Sequence, residues 1–256
     1  MKILCKYYGG SYSYGLNTPT SDLDERFVFI HTEPSKIFGL ERHDHQQRVS
    51  NGEDIFGYEV RHFFSLLKTG NTMCLEMLYN DKWIEITEEF KYIQSYRNNL
   101  IDSHRLYKCL KGYCYSEKRL VLGERTGLLG SKRKEALEKY NYSYKNLVQY
   151  LRLCLAGQIF FQEGIFPVYI RKYDKCDLLF DIKTNPGKYN REQVEMLMEL
   201  YEKELDMSYN NIKHIYTYDL SIANKICYYL YMPILNNYGN TTNSVNIIAT
   251  QTNSFL

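Results

Sequence analysis

The sequence predicts an α+β fold, a small mixed-sheet unit followed by a mainly helical half. Three observations predict it. An alternating run rich in β-branched and aromatic residues lies at 22–30, a second short apolar run at 53–58 passes into a helical pattern at Glu59, and the periodic segments after 85 keep the helical period. The expected division is therefore 1–85 for the sheet unit and 86–256 for the helical unit.

Taken in order, the chain opens with a short apolar segment and a glycine-rich turn. Asp22 to Ile30 reads as a strand, on which Asp22 and Asp24, two residues apart, would share a face. Pro34 to Asn51 reads as an irregular excursion and Glu53 to Tyr58 as a second strand. Beyond Glu59, the residues Val60, Phe63, Phe64 and Leu67 fall on one helical face, closed by Gly70-Asn71. Further helices are expected over Glu88–Arg97, Leu106–Lys118, Lys132–Glu138, Tyr144–Glu163 and Arg191–Leu205, with Gly164 and Asn185-Pro186-Gly187 as stops. Asn236 to Leu256 is rich in Asn and Thr and reads as a loosely held end. No internal repeat is present.

Composition narrows the function. With 44% hydrophobic and 24% charged residues over 256 positions, the chain can bury a core and is not disordered. It has neither a run of about 18 apolar residues nor a secretory leader, so a soluble, cytoplasmic protein without a membrane partner is expected. Its seven cysteines are scattered and never form C-x-x-C, which argues against a disulfide framework or zinc site and for reduced, buried thiols. His43-Asp44-His45 has a metal-like look but reads as a solvated loop, and Trp83 and the many tyrosines read as packing aromatics. Charge is uneven: from Arg105 to Arg152 twelve Lys or Arg face four Glu, a net +8 that leaves −6 on the remainder of a chain totalling +2. A basic middle suits either a polyanionic ligand or solvated helix faces.

The chemistry is concentrated near the start. Gly9-Gly10-Ser11 precedes Asp22 by ten intervening residues, with Gly15 between them. Glycines let a backbone approach a phosphate closely, N–H groups opening a helix favour an anion, and Ser11 adds a hydroxyl donor. Two carboxylates on one face, joined by a third, provide hard oxygen ligands for Mg²⁺ (or Mn²⁺). Such ions bind a triphosphate, activate an attacking hydroxyl and neutralise the leaving pyrophosphate. For the third carboxylate the residues leave Asp54, on the second predicted strand, and Glu59, which also has a simple role at a helix N-terminus, with Glu53 and Glu76 as lesser candidates. Arg26 can bind phosphate or orient Asp24.

In this order and spacing, Gly10-Ser11 with Asp22-Leu23-Asp24 resembles the signature of the DNA polymerase β-like nucleotidyltransferase superfamily. The run from Gly10 to Arg26 is similar to the opening of its YcgL-type branch, bacterial and phage predicted nucleotidyltransferases associated with RNA repair. Arg61 to Asn71, Leu75-Glu76-Met77-Leu78, Gly112-Tyr113, Leu129 to Arg133 and Lys145 to Arg152 resemble later stretches of that branch, over about residues 5–205. The resemblance implies a polymerase β-like core over 1–85, with 86–256, including the basic segment 105–152, completing the cleft for nucleotide and acceptor. It implies metal ligation by Asp22, Asp24 and Asp54, nucleotide binding by Gly10, Ser11, Arg26 and Lys145, and transfer of a nucleoside monophosphate from a triphosphate such as ATP to a hydroxyl, with an RNA (tRNA) end as the favoured acceptor. Small molecules or protein hydroxyls are alternative acceptors, and a non-catalytic nucleotide- or RNA-binding module is the rival reading. Two positions depart from the pattern: Thr72 stands where proline is usual, and Asn146 where a histidine commonly follows the helical lysine.

Overall fold

The computed structural model describes residues 1–41, 43–50, 53–124 and 131–252, with backbone alone at 50, 131, 132 and 238–252. Arg125 and the Leu129-Gly130 part of the resemblance lie outside the described residues.

A five-stranded mixed sheet has the order β3-β4-β2-β1-β5, built from β1 (Lys2–Tyr8), β2 (Glu25–Ile30), β3 (His45–Ser50), β4 (Glu53–Glu59) and β5 (Glu85–Ile86). β1 runs antiparallel to β2 and β5, β2 parallel to β4, and β3 antiparallel to β4. The β1–β2 register shifts between Ile3 and Cys5, and Leu4 and Cys5 are both buried. β2 is central: Phe27, Val28, Phe29 and Ile30 are all buried, and Gly57 of β4 leaves room for the Phe27 ring, which a Cβ there would meet at 2.4 Å.

Two sequence expectations change here. The strand starts at Glu25, where pairing with Tyr8 begins, so Asp22 and Asp24 are on the approach to β2 and not on it. A turn precedes them, closed by Ser21 N–H donating to Thr18 O at 3.0 Å, with Pro19 at its second position. The expected irregular excursion over 34–51 gives way, among its described residues, to α2 (Pro34–Phe38) and β3. β3 escaped detection because it is an edge strand exposed from His45 to Val49, without apolar alternation, and its hairpin with β4 rests on backbone pairing.

Helices cover the rest. The short α1 (Gly10–Tyr14) follows β1, and α3 (Val60–Lys68) buries the predicted Val60, Phe63, Phe64 and Leu67. α4 (Thr72–Tyr79) buries every residue but Met73, so it has no polar face to betray it in the sequence. Its N-cap is Asn71, which places Thr72 at the first helical position; proline is at home there, so this departure from the family pattern is conformationally neutral. α5 (Glu88–Ser95), α6 (Ser103–Val121), α7 (Ser131–Tyr140), α8 (Tyr144–Glu163) and α10 (Arg191–Asn210) answer to the five predicted helices. α8 ends where predicted, at Gly164 with φ 74°. α6 and α10 pack on α8, and Gly157 marks their crossing, since a Cβ would lie 2.5 Å from Leu205 and 2.7 Å from Leu110. α9 (Lys175–Thr184) and α11 (Leu220–Thr252) were not foreseen. α11 continues through the Asn/Thr-rich stretch to Thr252 despite Pro233, and its Ala223, Ile226 and Leu230 are buried. Among the described residues no helix is long and apolar enough to cross a membrane.

Candidate active site

The first turn of the site is set by two glycines. Gly10 has φ +60°, and a Cβ on it would lie 2.9 Å from Asp24 Oδ2; Gly15 ends α1 in the left-handed region at φ +74°. Gly10 thus admits the Asp24 carboxylate close to the backbone beside Ser11. Gly9 N–H donates to Asp24 O at 2.8 Å, prolonging the β1–β2 ladder by one residue and fixing Asp24 against α1.

Gly10, Ser11, Asp22 and Asp24 line one wall of a cavity of about 870 Å³. The helical half lines the same cavity with Arg133 of α7, Lys145 and Arg152 of α8 and Lys183 of α9. Burial raises the Asp24 carboxyl above its ordinary range, Arg26 draws it back, and the charges of Asp54 and Asp22 push it up again.

Asp54 immediately precedes Ile55, the β4 partner of Glu25, and its backbone N–H donates to the Asp24 carboxyl. Its Oδ2 accepts from Arg26 Nη2 at 3.0 Å and its Oδ1 from Gln47 Nε2 at 3.2 Å. Arg26 also donates through Nη1 to Asp54 O at 2.7 Å and lies 3.8 Å from Asp24, so it stands between the two carboxylates and does not line the cavity. Glu59 is elsewhere. It is opposite Phe29 at the far end of β2, caps α3 by accepting from Arg61 N–H at 3.0 Å, and receives the Tyr231 hydroxyl. The structure therefore separates Glu59 from the aspartates.

Glu76 is bound as well. Its Oε1 is 2.9 Å from Arg152 Nη2 and its Oε2 accepts the Tyr14 hydroxyl at 2.8 Å, with the Arg152 guanidinium 3.7 Å above the Tyr14 ring. Arg152 is 1% exposed. Burial works against its charge, and Tyr14 and Glu76 outweigh that effect, so its pKa shifts upward. Although the pair is close, neither Nη makes an aligned hydrogen bond; Nε donates to Gln149 Oε1 at 3.1 Å. This buried assembly joins α1, α4 and α8, and so ties the helix carrying Ser11 to the one carrying Lys145.

Asn146 points away from the cavity. It accepts from Ser143 Oγ at 2.7 Å and donates to Glu117 Oε2 at 2.7 Å, bonding α8 to α6. Sequence reasoning missed Lys183 and the pairing of Tyr14 with Glu76 and Arg152; a cation in the last turn of an unrecognised helix carries no local signal.

Among the described residues no three His, Cys, Asp or Glu side chains are arranged as a ready metal cage. Two crowded carboxylates beside a backbone cradle still suit Mg²⁺, which keeps several of its waters and takes one or two carboxylates from protein.

A mixed sheet and a helical half together line a cavity that is acidic and basic, and the match to a known family identifies the architecture as polymerase β-like. Residues 1–218 match the family described as RlaP, the RNA repair pathway DNA polymerase beta family, and the chain belongs to it. It is 26% identical over 110 residues to an uncharacterized 38.9 kDa protein in the nrdC-mobD intergenic region of Enterobacteria phage T4, covering 38% of this chain and 33% of that relative. The chain thus spans about a third of the length of the curated relative it matches. It also aligns with the crystal structure of a nucleotidyltransferase-like protein from Exiguobacterium sibiricum 255-15, at 11% identity and a TM-score of 0.30, over 82% of this chain and 69% of the other.

Proposed function

We propose that the protein is a metal-dependent nucleotidyltransferase that moves a nucleoside monophosphate from a triphosphate such as ATP to a hydroxyl on an RNA end, tRNA included, in the cytoplasm. The observation that carries this reading is one cavity lined by Asp22, Asp24, Gly10 and Ser11 together with Lys145 and Lys183, which among the described residues have no carboxylate partner.

Asp22 and Asp24 would hold Mg²⁺ or Mn²⁺, and Asp54 would join them by exchanging Arg26 for the ion. Bound there, the metal supplies Lewis-acid activation of the hydroxyl and charge neutralisation on the phosphates. Ser11 and the backbone at Gly10 would receive phosphate oxygens, and Lys145 would bind the tail. Arg26 keeps Asp24 and Asp54 together and serves orientation, since its guanidinium is spent on Asp54. An acceptor with a phosphate backbone suits the cationic wall, whereas nothing in the cavity selects an aminoglycoside or a protein hydroxyl.

The test is incubation with each labelled triphosphate and Mg²⁺ or Mn²⁺, supplying total RNA, small metabolites or protein as acceptor. Label should pass to RNA with release of pyrophosphate, and Asp22→Asn or Asp24→Asn should abolish it. Label in another fraction would replace the acceptor, and salt-sensitive RNA binding without pyrophosphate would leave a binding module.

A further inference from the structure

Lys183 lies in the last turn of α9, outside the stretches that carry the family resemblance, and lines the cavity. Its Nζ donates to Leu16 O at 2.6 Å and stands 3.5 Å from Ser21 Oγ. Those two atoms bracket the loop between α1 and Asp22, so one ammonium grips both ends of the segment that presents the aspartates. An ammonium has three N–H donors. Among the described residues the third has no partner, and no carboxylate pairs with Lys183, Lys145 or Arg133.

Burial, and then the charge of Lys145, lower the pKa of the Lys183 ammonium. Two neighbouring cations on one wall therefore destabilise each other in the protein alone. A tether to Leu16 O does not require a charge, because a neutral amide can donate to the same carbonyl. A polyanion on this wall accounts for the charge, and a tether does not.

We propose that Lys183, together with Lys145, binds the polyphosphate end of the nucleoside triphosphate and thereby couples its seating to the loop that presents Asp22 and Asp24. This rests on the nucleotidyl-transfer reading of the same cavity.

The experiment is calorimetric titration of the full chain with inorganic tripolyphosphate in the presence of Mg²⁺. Lys183→Gln keeps a donor for Leu16 O and removes the charge, while Lys183→Arg keeps the charge. K183Q should bind about 10- to 100-fold more weakly than wild type, the loss of one hydrogen bond to a charged group. Its salt dependence should also be weaker, and K183R should stay close to wild type. Equal affinities of wild type and K183Q would overturn the role of Lys183 and leave nucleotidyl transfer standing. Failure of wild type to bind tripolyphosphate or ATP at all would instead remove the transfer reading. Should K183Q be unstable, Lys183→Met replaces it with K183R as the charge-retaining control: affinity equal to wild type in K183M overturns the role, and a loss of about 10- to 100-fold in K183M that K183R does not share supports it.

Discussion

Replacing Glu76 by Gln tests the buried clamp that joins α1, α4 and α8 at the cavity. The substitution keeps the shape and an acceptor for the Tyr14 hydroxyl, but leaves the Arg152 guanidinium, 1% exposed, without its counter-charge. Breaking a buried ion pair by removing one partner costs about 3–5 kcal/mol. For a chain of this size each kcal/mol lowers Tm by roughly 2–4 °C, so E76Q should melt about 6–20 °C below wild type. Urea unfolding followed by far-UV circular dichroism measures the loss, with an unchanged m-value showing that stability alone has moved. Adding Arg152→Met removes the stranded charge and should recover much of the deficit, giving a coupling energy of opposite sign to the single losses. A loss under about 1 kcal/mol, the value of an exposed pair, or simple additivity of the two substitutions, would refute the clamp.

Asp24→Asn should abolish pyrophosphate release yet leave Tm equal to or above that of wild type at neutral pH. Because the folded-state pKa of Asp24 lies above its unfolded value, the ionised carboxylate destabilises the fold as pH rises through that folded pKa, and in acid below the unfolded value the penalty is absent. The Tm advantage of D24N should therefore grow from acid to neutral pH; a Tm deficit at neutral pH contradicts the crowding. Gly10→Ala should cost about 1–2 kcal/mol through its left-handed backbone and displace the Asp24 carboxylate 2.9 Å from the added Cβ, visible as lower Tm together with lost turnover. Glu59→Ala should lower stability through loss of the α3 cap, about 1 kcal/mol or more, with turnover nearly kept, whereas Asp54→Ala should cut turnover by orders of magnitude at little cost in Tm. Gly157→Ala should destabilise by about 1–3 kcal/mol from overpacking against Leu205 and Leu110, measurable by chemical denaturation.

Local signals made much of this protein legible. The 3.6-residue spacing of Val60, Phe63, Phe64 and Leu67 specifies one face of α3, and the Gly164 stop ends α8, because both depend on nearest neighbours along the chain. Gly10-Ser11 and Asp22-Leu23-Asp24 were readable for the same reason: they are contiguous motifs. What is uniformly buried or uniformly exposed carries no period, so α4 and the edge strand β3 stayed hidden. Tertiary structure alone decided the partners. It drew Lys183 to Leu16 across 167 positions, seated Arg152 on Glu76 and Tyr14, engaged Asp54 with Arg26, and carried Glu59 to the far end of the sheet. Such meetings depend on strand register and helix crossing, which sequence spacing does not contain, and they determine which charges face the cavity and which are neutralised.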